Sequence, residues 1–325
     1  MTKIWGTSFS LIGDLIMSLP QLRYFKKKYK DSYINFVIHK KIAYCAPLFF
    51  NHPDIDKIII SGEWSSFNST DYDIASKCDV VTTKLDHDNK KILDRYHEDK
   101  YWYNKRSCIE ETALMSGIND INEILSEKER FPYLYKWFDS GFEDIQKKAS
   151  YTYKKVHSKK NDILSKSIAL WPFAGYGRSK NRNPSLDWWR NLVSDFNKKS
   201  IKVFHFGYIN EPNLSEDSNY YEKLTDLDFF SQIKISLGSK LSIGTDSGSM
   251  WVLGAYSHPS LIISTNWYEN HKSNLLATIP PNINSEVIFK KNGFESLSVE
   301  EIFEKSIKRG VSSVSKIDKV LSFFK

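Results

Sequence analysis

The stretch Lys240-Leu-Ser-Ile-Gly-Thr-Asp-Ser-Gly-Ser-Met250 carries the clearest fold signal, because an apolar run passes directly into a turn of small residues. Residues 240–243 have the composition of a buried strand, and a helix is predicted over 251–256. A strand that passes through such a turn into a helix is typical of α/β proteins with parallel sheets.

Strand and helix signals alternate along the whole sequence. The predicted strands are 3–6, 33–38, 57–60, 78–81, 167–171, 201–206, 240–243 and 260–264. The predicted helices are 14–29, 106–116, 186–196, 229–237, 251–256, 299–308 and 314–324. Residues 139–166 are rich in Lys, Ser, Asn and Tyr with little apolar periodicity, which favours a linker. The pattern predicts two α/β halves, whose sheets would face each other across a cleft that binds ligands at the carboxyl ends of the strands.

The composition indicates a soluble protein with two cores. The chain has 325 residues, of which 41% are hydrophobic, and no window approaches the roughly 18 apolar residues of a membrane span. The first residues lack the apolar core of a signal peptide, so a cytoplasmic location is expected. The three cysteines have no CxxC spacing, which predicts buried free thiols rather than disulfides or a zinc site.

The charge favours an anionic partner. The formal net charge is +7, and the pI is near 9.0. A nucleotide, an acidic glycan, an anionic membrane surface or a nucleic acid would each satisfy it. No nucleic-acid-binding motif is recognisable, so we expect no nucleic acid partner. The basic, aromatic segment 23–30 is typical of a solvated helix face rather than a binding patch. Its residues 26–30, together with 131–138, could rest on an anionic membrane.

The turn Gly244-Thr-Asp-Ser-Gly-Ser-Met250 has two glycines and three hydroxyl residues in seven positions. Such a turn presents backbone N–H groups and the positive end of a helix dipole, which suits a phosphate. It could equally be a tight turn in which Asp246 or Ser247 caps the helix. The Walker pattern GxxxxGK[ST] and the dinucleotide pattern GxGxxG are both absent.

Two other turns follow predicted strands in the second half. The first, Trp171–Arg182, contains Gly175 and three cations, Arg178, Lys180 and Arg182, which could neutralise a diphosphate leaving group or form an exposed basic loop. The second, Gly207-Tyr-Ile-Asn-Glu211, places a carboxylate where it could bind ribose hydroxyls or begin a helix.

In the first half, Leu11-Ile-Gly-Asp-Leu-Ile-Met-Ser-Leu-Pro20 places Asp14 in an apolar run just after a strand. A carboxylate here is expected to cap the helix, and it could also act as a general base toward a hydroxyl. Pro20 is unusual, since a proline inside a helix removes a hydrogen bond and bends the axis.

Metal chemistry is not supported by the sequence. Four DxD spacings occur, which is unsurprising in a chain with 39 acidic residues, and the eight histidines show no HxH or HExxH spacing. We therefore expect neither a metal nor another cofactor. No GxSxG hydrolase motif occurs.

Taken in order, these motifs resemble bacterial heptosyltransferases, glycosyltransferase family nine. The shared features are Gly13-Asp14 with Pro20, Asp73, the basic glycine turn, Gly207-x-x-x-Glu211, Leu224-Thr-Asp-Leu, and the Gly244–Met250 turn. Each motif is weak, whereas their order and spacing over most of the chain are fairly specific.

The resemblance implies a GT-B fold, with an acceptor-binding Rossmann-like domain over 1–155 and a donor-binding one over 156–325, the last helix packing back on the first domain. It implies metal-independent, inverting transfer of a sugar from a nucleotide sugar to a hydroxyl of a glycan or glycolipid acceptor at the cell surface. Asp14 corresponds to the general base, beside Gly13 in the acceptor-binding half. The implied donor-binding residues are Gly175, Arg178, Lys180, Arg182, Glu211, Thr245, Asp246, Ser247, Gly248, Ser249 and Trp251.

One residue departs from the family pattern, because Trp251 stands where the family usually has histidine after this turn. Trp251 could be a core residue, mark a different donor sugar, or mark a non-catalytic nucleotide-binding scaffold of glycan assembly. A GT-B transferase that uses another nucleotide sugar, for lipooligosaccharide or capsule, is the alternative within enzymes. Contact of the basic, aromatic segments with a membrane would place the protein at the inner face of the cytoplasmic membrane.

Overall fold

The computed structural model describes residues 2–7, 11–50, 52–61, 74–77, 108–115, 118–132, 134, 163–175, 182–216, 219–265, 282, 284–290 and 293–312. The chain divides into two compact units, Met1–Ser140 with Asn270–Asn282, and Gly141–Glu269 with Ile283–Lys325. Each unit is built around its own parallel sheet. The predicted α/β class with parallel sheets is therefore confirmed.

The first unit contains a four-stranded parallel sheet. Its strands are β1 (Thr2–Thr7), β2 (Ser32–His39), β3 (Lys57–Ser61) and β4 (Ile74–Lys77), in the spatial order β3-β2-β1-β4. Its helices are α1 (Ile12–Met17), α2 (Leu19–Lys28) and α3 (Cys108–Met115), with 3₁₀ segments at Lys40–Phe49, Ile121–Glu123 and Glu127–Arg130. The order reverses between β1 and β4, so the segment after β1 lies at a topological switch point.

The single helix predicted over 14–29 is wrong, because two helices meet at Ser18. Pro20 occupies the second position of α2, where a missing N–H costs no intrahelical hydrogen bond. The Ser18 hydroxyl donates to the carbonyl of Leu15 at 2.8 Å, within the junction. Pro20 therefore begins a new helix rather than distorting one.

The second unit contains a six-stranded parallel sheet. Its strands are β5 (Ile168–Trp171), β6 (Val203–His205), β7 (Tyr221–Lys223), β8 (Leu241–Thr245), β9 (Ser260–Thr265) and β10 (Ser285–Lys290), in the order β10-β9-β8-β5-β6-β7. Its helices are α4 (Leu186–Lys198), α5 (Phe229–Gly238), α6 (Gly248–Ala255) and α7 (Val299–Lys308), with 3₁₀ segments at Leu164–Lys166 and Phe294–Ser296. This is the Rossmann strand order, whose switch point lies between β5 and β8.

The core of the second unit explains the local sequence pattern. The apolar residues Trp189, Leu192, Val193 and Phe196 recur at helical spacing on α4, and all four are fully buried. They belong to one apolar cluster with the alternate strand residues of β5 and β8 and with Ile302 of α7. The α4 helix begins at Ser185, whose hydroxyl accepts from the N–H of Trp188 at 3.1 Å.

Several elements depart from the predicted pattern. The fourth strand is predicted at 78–81 but lies at Ile74–Lys77, paired to β1, and 78–81 fall outside the described residues. The strands β7 and β10 are not among the predicted strands; they are the two edge strands of the sheet, and each pairs with one neighbour. The helix predicted over 314–324 also falls outside the described residues.

Candidate functional site

The carboxyl edge of the second sheet brings the three predicted turns of this unit together. All six strands are parallel, so the turns after β5, β6, β7 and β8 leave the sheet at one edge. The turns after β5 and β8 flank the switch point, where open α/β sheets bind ligands. Trp171, which ends β5, stacks on Phe206 beyond β6 with ring centroids 5.3 Å apart. This edge is the candidate donor site.

The Gly244–Met250 turn forms the centre of this edge. A Cβ on Gly244 would lie 2.6 Å from the Trp171 carbonyl oxygen, so only glycine lets β8 approach β5 this closely. Ser247 is the N-cap of α6 and makes no side-chain cap hydrogen bond, so the predicted capping by Ser247 is wrong. The first turn of α6 therefore keeps N–H groups with no intrahelical partner. Ser247, Gly248 and Ser249 are half-buried, which leaves this helix start accessible.

Asp246 and Trp251 form a buried pair beside that helix start. The indole Nε1 of Trp251 donates to Oδ1 of Asp246 at 3.1 Å, and the two residues are 5% and 8% exposed. Burial raises the pKa of the Asp246 carboxyl, while the charge of Arg182 and the indole hydrogen bond oppose that rise. Trp251 is therefore buried, but it does more than fill an apolar core, because its indole nitrogen donates to Asp246, a predicted site residue.

The turn after β5 is anchored at both ends. The N–H of Ala174 donates to Oδ1 of Asn183 at 2.7 Å, and a guanidinium nitrogen of Arg182 donates to the carbonyl of Asp246 at 3.3 Å. Gly175 has a φ of +56°, a conformation that favours glycine. Arg182 thus links the turns after β5 and β8. Arg178 and Lys180 lie outside the described residues.

Glu211 is held by hydrogen bonds within its own turn and to the preceding strand. Its side chain has no exposed surface, with Oε2 lying 3.0 Å from Nε2 of His205 and Oε1 accepting from the N–H of Tyr208 at 3.0 Å. Both carboxylate oxygens are thus engaged within the protein, whereas the prediction has Glu211 bind the nucleoside. Here the carboxylate fixes the turn that begins at Gly207. A Cβ on Gly207, which has a φ of +145°, would overlap that carboxylate.

Three residues that the sequence analysis does not single out support the same turn. The side-chain amide of Gln232 accepts from the N–H of Gly207 at 2.8 Å and donates to its carbonyl at 3.1 Å. Nδ1 of His205 lies 2.7 Å from the hydroxyl of Tyr221. Of the three, His205 has a sequence signal, because it is a polar residue between Phe204 and Phe206. The turn thus presents Tyr208 and Ile209 at its tip, 63% and 65% exposed.

The remaining donor-side prediction, Thr245, ends β8 and is fully buried. Its hydroxyl has no hydrogen-bond partner among the described residues. Thr245 precedes the turn in the chain, so it fixes where the turn leaves the sheet rather than forming part of the accessible helix start.

In the first unit, Gly13 and Asp14 lie in the first turn of α1, just after β1. The N-cap of this helix is Leu11, so the prediction that Asp14 caps the helix is wrong. Asp14 is half-buried and lies at the switch-point edge of its sheet, where a carboxylate also interacts favourably with the helix dipole. The structure thus places this carboxylate at the edge where open α/β sheets bind ligands.

The polar surface of the first unit contains local ion pairs. Nζ of Lys26 lies 2.6 Å from Oδ2 of Asp56, and Lys27 pairs with Glu129. Asp54 pairs with Arg23 at 3.3 Å, so the Asp54/Asp56 spacing serves ion pairs in this structure. Cys45 is free and buried, as predicted. Among the described residues, no helix is long and apolar enough to span a membrane, and no three His, Cys, Asp or Glu side chains cluster as metal ligands would.

Similarity to solved structures agrees with this architecture. ADP-heptose heptosyltransferase II of E. coli matches with a TM-score of 0.64 at 16% identity, covering 95% of this chain and 98% of that one. A glycosyl transferase family 9 protein from Veillonella parvula matches at 0.60 and 14%, covering 99% and 95%. The chain has the heptosyltransferase GT-B fold.

A further structure with the same fold is E. coli heptosyltransferase WaaC with ADP, which matches with a TM-score of 0.59 at 14% identity, covering 95% of this chain and 99% of that one. No protein-family model and no curated protein sequence matches the chain. The resemblance inferred from the order of the motifs is therefore confirmed at the level of the fold.

Proposed function

We propose that this chain is an inverting glycosyltransferase, which moves a sugar from a nucleoside diphosphate donor to a hydroxyl group of a bacterial surface glycan. The observation that carries the proposal is the Gly244–Met250 turn, with an uncapped helix start at the switch point of a heptosyltransferase-like fold. Unpaired N–H groups and the helix dipole at such a position suit a diphosphate.

The reaction proposed is a direct displacement at the anomeric carbon. Asp14 accepts the proton of the acceptor hydroxyl as that oxygen forms a bond to the anomeric carbon. The bond between this carbon and the diphosphate oxygen breaks, and its electron pair leaves with the nucleoside diphosphate. Because the acceptor attacks from the face opposite the leaving group, the configuration at the anomeric carbon inverts.

On the donor side, the developing negative charge needs stabilisation. The start of α6 and the cations Arg178, Lys180 and Arg182 are proposed to supply it without a metal ion. Arg182 already reaches the Asp246 carbonyl, which supports its place next to the diphosphate. Transfer at the parental rate in the presence of EDTA would support metal independence, and rescue by added metal after EDTA treatment would contradict it.

The donor sugar is a heptose or another sugar, and the acceptor is a lipooligosaccharide core or a capsular glycan. The tryptophan at position 251 supports a donor other than the ADP-heptose implied by the family. A cytoplasmic location with contact to an anionic membrane surface belongs to the same proposal. The pairing of Lys26 and Lys27 with carboxylates reduces the charge available to lipid. Vesicle sedimentation that is independent of anionic lipid would remove the membrane contact.

The decisive experiment is a thermal-shift screen against ADP-, GDP-, UDP- and CMP-sugars. A rise in melting temperature with one nucleotide base identifies the donor class, because a ligand that binds only the folded state stabilises it. Sugar release or transfer from that donor, followed by mass spectrometry, then tests catalysis. No shift with any donor would overturn the proposal, and binding without turnover would favour the non-catalytic scaffold.

A further inference from the structure

We propose that Trp251 is a positioning residue for the donor, because its indole N–H holds the Asp246 carboxylate in one orientation at the Gly244–Met250 turn. The inference rests on the proposed function, since it assigns how the donor site is held in place. It concerns a residue of this chain that the family pattern does not supply, the tryptophan in place of histidine.

The geometry of the pair is fixed from both sides. The N–H of Asp246 donates to the carbonyl of Ile263 in β9 at 3.0 Å, and the N–H of Trp251 donates to the carbonyl of Ser247 at 3.1 Å. The indole hydrogen bond therefore joins the end of β8 to the first turn of α6. Both side chains are more than nine-tenths buried, so neither can exchange this partner for water without local rearrangement.

The chemistry of the two groups fixes the direction of this hydrogen bond, and a nearby charge reinforces it. An indole nitrogen is only a donor, so Oδ1 of Asp246 must accept. Of the described residues, Arg182 is the charged group that acts on Asp246, and it favours the ionised carboxylate as the indole N–H does. Burial acts in the opposite sense and raises the pKa of Asp246. Loss of the indole N–H would raise that pKa further and free the carboxylate to rotate.

A tryptophan donates this hydrogen bond without any change of its own protonation state. A histidine could be protonated or neutral, whereas the indole N–H is a donor at every physiological pH. The orientation of the Asp246 carboxylate is thus expected to depend on the titration of Asp246 itself. We therefore expect donor binding to weaken at acidic pH as one group, the Asp246 carboxylate, becomes protonated.

The coupling can be measured without any ligand, by a double-mutant cycle of Trp251→Phe and Asp246→Ala followed by urea unfolding. At neutral pH we expect Trp251→Phe to lower the urea midpoint clearly in the wild-type background and much less in the Asp246→Ala background. At acidic pH the two losses should converge, because the protonated carboxyl no longer forms a charge-assisted bond. If Asp246→Ala does not fold, Asp246→Asn provides the second background, with a smaller coupling expected.

Trp188→Phe is the matched control, because Nε1 of Trp188 donates to the uncharged carbonyl of Leu297 at 2.8 Å. Its loss of stability should not change with pH or with the Asp246 background. A purely structural role for Trp251 predicts that Trp251→Phe behaves as this control does. Equal losses in both backgrounds and at both pH values would overturn the proposal.

The role of Trp251 in donor binding is tested by calorimetric titration with ADP, GDP, UDP and CMP. We expect Trp251→Phe to weaken binding of the preferred nucleotide about tenfold and to move the acid-side loss of affinity to higher pH. Trp188→Phe should bind as the wild-type protein does. If Trp251→Phe keeps the wild-type affinity and pH profile, the inference is overturned. If the wild-type protein binds none of the nucleotides, the proposed function is overturned. In that case the ligand-free cycle still measures the coupling between Trp251 and Asp246.

Discussion

His205 and Glu211 form a fully buried hydrogen bond, with Nε2 and Oε2 3.0 Å apart and no exposed surface on either side chain. The hydroxyl of Tyr221 accepts from the N–H of Leu214 at 3.1 Å and lies 2.7 Å from Nδ1 of His205. Burial lowers the pKa of His205 and raises that of Tyr221 to about 12, which favours the neutral form of both side chains. In the neutral imidazole, the tautomer that satisfies both contacts carries its proton on Nε2, donates it to Glu211, and accepts the tyrosine proton at Nδ1.

These buried hydrogen bonds predict a large loss of stability when the imidazole of His205 is removed. His205→Ala leaves Oε2 of Glu211 buried without a partner, and we expect a loss of about 3 kcal/mol in unfolding free energy by urea denaturation. Tyr221→Phe keeps the bond between His205 and Glu211 and should cost less, about 1–2 kcal/mol. An unfolding free energy of His205→Ala within error of wild type would show that these hydrogen bonds do not stabilise the fold.

Gly207 tests whether the turn itself requires glycine. Gly207→Ala combines a φ of +145° with overlap of the new Cβ and the Glu211 carboxylate. We expect a loss of about 2–5 kcal/mol in unfolding free energy, together with weaker nucleotide binding.

Gly293→Ala is the matched control for that substitution. Gly293 also has a positive φ, +83°, but nothing lies within 4 Å of its added Cβ. Backbone strain alone should cost about 1–2 kcal/mol here. Equal losses in the two variants would show that the Glu211 contact contributes nothing.

Asp14 is the proposed base, and its removal should affect turnover rather than binding. Asp14→Asn is expected to lower kcat about 10²–10⁴-fold while the donor dissociation constant stays near the wild-type value. Steady-state kinetics and calorimetry measure the two quantities separately. Asp31→Asn, at an exposed carboxylate of the same unit, should leave both unchanged. Parental turnover in Asp14→Asn would exclude the assignment.

A buried ion pair joins β7 to the residue just before β6. Nζ of Lys202 and Oε2 of Glu222 are 3.0 Å apart, and their side chains are 3% and 1% exposed. Burial lowers the pKa of Lys202 and raises that of Glu222, while their mutual attraction opposes both shifts.

Replacing one member of this ion pair should lower the unfolding free energy more than replacing both members. Lys202→Met leaves a buried carboxylate alone and should cost about 3–5 kcal/mol at neutral pH. The cost should shrink at acidic pH, because Glu222 can then be protonated. The double variant Lys202→Met with Glu222→Leu should unfold near the wild-type urea midpoint. A double variant as unstable as the single one would contradict this account.

The sequence by itself determined the α/β class, the parallel sheets and most of the elements of the second unit. Apolar strands that pass into small-residue turns and amphipathic helices are local patterns, so the α4 helix and the strand β8 are close to their predicted bounds. The ordered motifs also indicated the heptosyltransferase-like fold, which the structural similarity confirms.

Only the tertiary structure decided which partners the site residues have within the protein. The strands β7 and β10, which are not among the predicted strands, each pair with one neighbour at an edge of the sheet. Glu211 binds His205 and Trp251 binds Asp246, because buried polar atoms need hydrogen-bond partners. Both pairs are close in the sequence, but their spacing alone does not show that these atoms face each other. Sequence spacing shows which residues reach one edge of a sheet, whereas packing decides which partner each polar atom receives.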